Sequence, residues 1–153
     1  MQTIGDLKEA EMCAGNVGKV SEFWAAHNRG DLDAMAALFS QDAVTVDRAR
    51  GLTFVGREGI RSFKAALREA FPDLRAEPQN TIDGWDTVVV QELATGTHNG
   101  PLGPIPASGR PLSLAVCVVF RFGEDGLITA ADYYWDQLSM LQQIGAVAVP
   151  AAA

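Results

Sequence analysis

Apolar residues in the first half of the chain recur at the three- and four-residue spacing that is typical of amphipathic helices. The first predicted helix covers residues 17–28, and its apolar side carries Val20, Phe23, Trp24 and His27. Gly30 then stops this helix and Asp31 caps a second one, so the sequence predicts a helical hairpin. The apolar side of the second helix carries Leu32, Met35, Ala36, Leu38 and Phe39. A third helix is predicted from residue 58 to about residue 71, where Pro72 ends it.

The second half of the chain changes to short segments rich in valine and threonine, which favour strands. Long strands are predicted at residues 76–82, 87–98, 112–122 and 128–135, and shorter ones at 43–46 and 53–55. A last short helix is predicted over residues 137–144. Helices first and antiparallel strands afterwards indicate the α+β class, in which helices cover one face of a strongly curved sheet and leave a pocket.

Length and composition are those of a single soluble domain, with 153 residues of which 48% are apolar and 20% charged. We expect the domain at residues 16–146, between tails at 1–15 and 147–153. Apolar runs stay below the roughly 20 residues that a membrane helix needs, so no membrane segment is predicted. A net charge of -7 with scattered basic residues argues against a nucleic-acid partner.

The two cysteines, Cys13 and Cys117, lie far apart and show no spacing typical of a metal site. We therefore expect two free thiols and no bound metal. The N-terminus lacks a basic stretch followed by an apolar run, as a secretory signal would have, and this predicts a cytoplasmic protein.

Four segments carry a resemblance to a known family. In chain order they read HNRGDLDAMAALFSQDAV, FVGREGIRSFKAALREAFPDL, TGTHNGPLGPIPASGRPL and FRFGEDGLITAADYYWDQLSMLQQIG. With the helix before them they span about residues 17–145 and resemble the SnoaL-like polyketide cyclases of the nuclear-transport-factor-like, ketosteroid-isomerase-like superfamily. The resemblance implies a cone-shaped α+β barrel around a hydrophobic cavity, and a homodimer whose sheets pack face to face.

The resemblance also implies an enzyme that works without a cofactor. The best-known members of the family close the last ring of an aromatic polyketide by an intramolecular aldol condensation, with an aspartate as general acid and base. We therefore expect a hydrophobic, polycyclic small molecule as substrate. Asp136 matches the terminal aspartate of the family, between the last strand and the last helix. It could equally be the N-cap of that helix.

The two-residue period of a strand turns Asp132, Tyr134 and Asp136 to the same face. If that face lines the cavity, two neighbouring carboxylates push their pKa values apart and the Tyr134 hydroxyl can bind a developing enolate. Strand twist or a bulge could instead carry Asp132 to the surface. His98 resembles a family histidine and could polarise a ligand carbonyl, or could fix the start of the loop over residues 99–111.

Aromatic side chains could line a cavity for a planar ligand or could simply fill the core. The candidates, besides Tyr134, are Trp24, Phe39, Phe63, Phe120 and Trp135. Three charged residues within or beside strands, Asp47, Arg48 and Glu92, could face the mouth of the pocket, but they are more typical of solvated surface charges. His27 is predicted to be structural. The glycine- and proline-rich loop has no lysine for a phosphate site, which favours a lid or a dimer contact.

The preferred hypothesis is a polyketide cyclase in which Asp136 is the base and then the acid, supported by His98, Tyr134 and Asp132. The superfamily also contains members that assist hydroxylation, which is one alternative. Another is an epoxide hydrolase of the same superfamily, in which two aspartates and an arginine activate water. It is disfavoured because the sequence predicts no arginine beside Asp132 and Asp136, since Arg121 is at a strand position that alternates with large apolar side chains. Another alternative is a binding protein that holds a ligand in the same cavity without turnover.

Overall fold

The computed structural model describes residues 3–148 and 150, and only the backbone of residues 9, 10 and 12–14. The helices are α1 (Ile4–Arg29), α2 (Leu32–Ala37), α3 (Gly56–Ala70) and α4 (Gln137–Gln143). The strands are β1 (Phe39–Asp47), β2 (Leu52–Val55), β3 (Arg75–Gly84), β4 (Thr87–Thr97), β5 (Pro111–Phe122) and β6 (Ile128–Trp135). No helix in this part of the chain is long and apolar enough to cross a membrane.

The strands form a curled six-stranded sheet in the order β2-β1-β6-β5-β4-β3. Neighbouring strands are antiparallel except β1 and β6, which run parallel. Helix α1 packs against β3 and β4, helix α3 against β1 and β2, and helix α4 against β5. The predicted α+β class is therefore confirmed, with helices covering the inner face of a mostly antiparallel sheet.

Helix α1 begins thirteen residues earlier than the sequence pattern predicts, at Ile4 rather than residue 17. A capping box starts it: the Thr3 hydroxyl accepts a hydrogen bond from the Asp6 amide at 3.2 Å, and the Thr3 amide donates to the Asp6 carboxylate at 2.8 Å. Gly30 ends the helix in the left-handed region, with φ at 78°. Residues 4–15, predicted as a tail, are thus helical.

The core lies between α1 and the inner face of the sheet. Phe23 is fully buried, and its ring centroid lies 5.2 Å from that of Phe120 and 6.0 Å from that of Phe39. Cys117 is a free thiol, as predicted, while the side chain of Cys13 lies outside the described residues. The core fills one end of the barrel, and the space toward α4 stays open.

Candidate functional site

A cavity opens between the inner face of the sheet and helices α1, α3 and α4. Its solvent-accessible volume is about 70 Å³, and its mouth is open to solvent. Most of its wall is apolar, formed by Phe63, Leu67, Phe71, Leu74, Ala76, Ala94, Leu112, Leu114, Val116 and Met140. Its polar side chains are His27, Asp47, Lys64, Glu92, Tyr133 and Trp135. Few polar groups thus converge on a largely apolar space, as in small-molecule sites.

Asp47, the last residue of β1, is a fully buried carboxylate in the cavity wall. Its Oδ1 accepts hydrogen bonds from Trp135 Nε1 at 2.8 Å and from the Arg50 amide at 3.3 Å. Its Oδ2 pairs with Arg50 Nε at 2.5 Å. The turn after β1 folds Arg50 back onto Asp47, so the charge is compensated and the carboxylate is held in one orientation.

Glu92 lies on β4 and shares the inner face of the sheet with Val88 and Val90, which are fully buried. It is 6% exposed, and its Oε2 has no hydrogen-bond partner among the described residues. Burial raises the pKa of Glu92 to about 7, because desolvation of the carboxylate outweighs the attraction of the Lys64 charge. Glu92 can therefore hold a proton near neutral pH.

Lys64 reaches the cavity from α3 and is 4% exposed. Its Nζ lies 4.4 Å from the ring centroid of Tyr133 and 5.2 Å from that of Phe63. Burial lowers the pKa of Lys64 to about 8, against the opposing effects of the Glu92 and Asp47 carboxylates. The lysine is therefore poorly hydrated and readily loses its proton.

Tyr133 and His27 add neutral polar atoms to the cavity. The Tyr133 hydroxyl has no partner among the described residues, and burial raises its pKa well above its usual value, so it remains a donor. Burial lowers the pKa of His27 to about 3, so the imidazole is neutral. Asn28 Oδ1 accepts from the Ala76 amide at 2.9 Å and lies 3.3 Å from His27 Nδ1. This pairing places the proton on Nδ1 and leaves Nε2 as an acceptor that has no partner in the part of the chain that the structure describes.

The shared face of Asp132, Tyr134 and Asp136 is the outer face of the sheet, which corrects the prediction that these residues line the cavity. Tyr134 is 48% exposed, and Asp132 pairs with Arg48 through contacts of 2.6 and 2.7 Å. Asp136 is exposed and caps α4, its Oδ1 accepting from the Ser139 amide at 3.1 Å.

The other face of β6, which carries the alternate residues Tyr133 and Trp135, lines the cavity instead. Strand period alone identifies residues that share a face but not which face the helices cover. The prediction that no arginine lies beside Asp132 is also wrong, since Arg48 does.

His98 is fully buried but lies outside the cavity, against the prediction that it contacts a ligand. Its Nδ1 lies 3.0 Å from Ser108 Oγ, and its carbonyl accepts from the amides of Ser108 and Gly109. Its ring packs on Phe71 at 5.3 Å. His98 therefore fixes the loop between β4 and β5, which was the alternative interpretation.

The predicted aromatic lining divides into two groups. Phe63 and Trp135 line the cavity, whereas Trp24, Phe39 and Phe120 are buried in the core beside it and do not. For those three residues, core packing is the correct interpretation.

Asp47 and Glu92 are the main residues that the sequence interpretation missed, because both were assigned to the surface. A partial signal for Glu92 was its two-residue spacing from Val88 and Val90, which puts all three side chains on one face of the strand. Lys64 likewise follows Ile60 by four residues, on the buried stripe of α3. A charge on an apolar stripe was the observable clue.

A curled sheet closed by helices around an apolar cavity is the fold of the superfamily that the sequence resembles. The sequence profile of the SnoaL-like domain matches residues 20–131. The chain therefore belongs to the SnoaL-like family.

Several known proteins are similar to this chain. Epoxide hydrolase LasB of Streptomyces lasalocidi is 33% identical over 115 residues, which are 74% of this chain and 39% of LasB. This chain thus spans well under half the length of that relative. A SnoaL-like protein of Jannaschia sp. CCS1 is 25% identical with a TM-score of 0.80, covering 88% of this chain and 94% of the other. IdmH of Streptomyces antibioticus, assigned as a polyketide cyclase, is 27% identical with a TM-score of 0.74, covering 85% and 98%.

Proposed function

We propose that this protein opens an epoxide on an apolar, polyketide-like substrate, with Glu92 as general acid and Asp47 as general base. The observation that carries the proposal is the contrast between two carboxyl groups of one cavity. Asp47 is paired with a guanidinium and charged, while Glu92 is desolvated and keeps its proton near neutral pH. Two carboxyls in opposed environments are a recurrent basis for acid and base assignments.

In this reaction Glu92 donates its proton to the epoxide oxygen as the carbon–oxygen bond breaks. A water molecule or a hydroxyl group of the substrate attacks the carbon, and Asp47 takes the proton that this nucleophile loses. Tyr133 can donate a hydrogen bond to the same oxygen, since its hydroxyl has no other partner among the described residues. Proton transfer from Asp47 back to Glu92 through solvent restores the starting state.

The surroundings of Asp47 favour an oxygen nucleophile over a carbon acid. Trp135 and Arg50 engage lone pairs on both of its oxygens, which limits how strongly it can pull a proton from carbon. The proton of an attacking hydroxyl becomes acidic only as the new bond forms, so a weak base is sufficient. The similarity to LasB, an epoxide hydrolase, supports the same class of reaction.

Aldol ring closure is the second candidate function. Its support is the pair of donors, Tyr133 and protonated Glu92, that face the cavity without other partners and could bind an enolate oxygen. In that case Asp47 takes the role of base that the sequence interpretation gave to Asp136. The similarity to IdmH supports this alternative.

Incubation of the protein with apolar epoxides in ¹⁸O-labelled water separates these functions. Labelled diol indicates hydrolysis, and an unlabelled cyclic ether indicates attack by a substrate hydroxyl. Asp47→Asn and Glu92→Gln should each lower the rate by at least about a hundredfold. The matched controls Asp42→Asn and Glu124→Gln change exposed carboxylates and should keep full activity.

The rate of epoxide opening should fall as the pH rises above about 7, because Glu92 loses its proton there. Opening that is unaffected by Asp47→Asn and Glu92→Gln would refute the assignment, and turnover of polyketones but not epoxides would favour the aldol reaction.

The face-to-face homodimer expected from the family stays a prediction. Its surface would be the outer face of the sheet, where Val44, Leu93 and Tyr134 are exposed. Light scattering of the wild type and of a Leu93→Lys variant would test it, since a buried lysine at this interface should shift the mass toward the monomer.

A further inference from the structure

We propose that Lys64 is a second reactive centre of the cavity, an amine that captures the carbonyl group of an apolar aldehyde or ketone as a Schiff base. The proposal concerns a reaction other than epoxide opening, and it does not depend on that function. It rests on where α3 places the amine and on the groups around it.

The Lys64 side chain projects into the cavity among aromatic rings rather than into water. Its Nζ lies 4.4 to 5.8 Å from the centroids of four rings, namely those of Tyr133, Phe63, Phe23 and Trp24. Among the described residues, no carboxylate lies within 4.0 Å of it to form an ion pair. The amine is therefore accessible to a ligand in the cavity and is not engaged by a counter-ion.

Charged and titratable groups approach Lys64 from several elements. They are Asp47 on β1, Arg68 on α3, Glu92 on β4, Tyr133 on β6 and His27 on α1. Asp47 is already neutralised by Arg50, and Glu92 is desolvated, so burial has the largest effect on the amine. A pKa of about 8 makes the neutral, nucleophilic form of Lys64 on the order of a hundredfold more abundant at pH 7 than that of an ordinary lysine.

Schiff-base formation also requires a proton donor beside the amine, and Glu92 and Tyr133 supply candidates. The Nζ lone pair forms a bond to the carbonyl carbon, the π pair moves to the carbonyl oxygen, and one Nζ proton passes to that oxygen to give a neutral carbinolamine. Glu92 then donates a proton to the hydroxyl, which leaves as water while the Nζ lone pair forms the C=N bond. The iminium returns its remaining proton to the Glu92 carboxylate. The net change is amine plus carbonyl to imine plus water, with no oxidant or reductant. Desolvated lysines in apolar pockets are activated for this chemistry.

Reductive trapping tests the proposal on the intact protein. The protein is incubated at pH 7 with benzaldehyde and the neutral reductant 2-picoline borane, which converts an imine to a stable secondary amine. The sequence contains three lysines, so Lys8 and Lys19 are internal references in peptide mapping. Lys64 should carry the benzyl group at least about tenfold faster than Lys8 or Lys19. Glyoxylate, a charged carbonyl, should modify Lys8 in preference to Lys64.

Variants separate capture at Lys64 from general reactivity. Lys64→Met keeps the size and apolar character of the stem and should abolish rapid labelling, while Lys64→Arg keeps the charge and should abolish it as well. The proposal is overturned if benzaldehyde modifies Lys8 and Lys19 as fast as Lys64, or if both Lys64 variants retain the rapid phase. Epoxide turnover is measured in a separate assay, so each proposal can fail without affecting the test of the other.

Discussion

The pairing of Asp47 with Arg50 predicts that removal of the arginine costs more stability than removal of the aspartate. Asp47 is fully buried, whereas the Arg50 side chain keeps 25% of its surface exposed. Arg50→Met leaves a buried charge with the Trp135 indole and one backbone amide as its donors. Breaking a buried ion pair in this way costs about 3–5 kcal/mol. In a domain of 153 residues the melting temperature should fall by roughly 10 °C.

Asp47→Asn should cost less, about 1–3 kcal/mol, because Arg50 can turn its guanidinium toward water. The asparagine oxygen can still accept from Trp135 Nε1. The double variant Asp47→Asn/Arg50→Met removes both members of the ion pair and leaves no buried charge without a partner at this place. Its loss of stability should therefore be clearly smaller than the sum of the two single losses.

Urea unfolding at pH 5 and pH 8 of the wild type, both single variants and the double variant measures these differences. Asp42→Asn, an exposed change on the same strand, is the reference and should stay within about 0.5 kcal/mol of the wild type. The reasoning is refuted if Asp47→Asn is the more damaging single change, or if the two single losses simply add.

Three further predictions test other parts of the site. Because the pKa of Glu92 is raised from 4.5 to about 7, the destabilisation caused by Glu92 grows as the pH rises through this interval and is complete above it. In urea unfolding, Glu92→Gln should therefore gain up to a few kcal/mol of stability over the wild type between pH 4 and pH 8. Glu124→Gln should show no such trend. Asp136→Ala removes the cap of α4 and should lower the stability of the protein by about 1 kcal/mol, while turnover should stay within roughly twofold of the wild type. A large loss of turnover with unchanged stability would instead indicate that Asp136 is catalytic. Ser108→Ala removes the hydroxyl beside His98 and should lower the stability of the protein by about 1 kcal/mol. It should also speed hydrogen exchange in the loop over residues 99–110. Unchanged exchange there would contradict the role of His98 in fixing that loop.

Much of the fold could be predicted because local signals and tertiary packing agree. The helix that ends before Pro72 and the long strands of the second half lie within a few residues of their predicted positions. The early start of α1 was missed because residues 1–15 were taken as a tail, although Thr3 and Asp6 form a capping box that begins a helix there. β1 begins at Phe39, which the helical spacing had assigned to α2, because a residue at a helix end can satisfy both patterns.

The site was harder to predict because it depends on which face of each strand the helices cover. Residues 132, 134 and 136 do share one face, but α1 and α3 cover the other. Glu92 shows the same difficulty from the opposite side, since a lone charge in a valine-rich strand suggests the surface. The side chain points inward because α1 and α3 pack over that face of the sheet, and the two-residue period of a strand does not predict where helices pack.

The cavity combines one fixed charge with two adjustable ones. Arg50 compensates Asp47 at short range, whereas Lys64 and Glu92 attract each other over a longer distance without a direct ion pair. An apolar ligand that displaces water strengthens the desolvation of both groups, which raises the pKa of Glu92 further and lowers that of Lys64 further. A proton then passes in effect from the lysine to the glutamate, and the cavity as a whole exchanges little charge with solvent. Entry of the ligand would thereby produce the protonated acid that epoxide opening needs and the neutral amine that carbonyl capture needs.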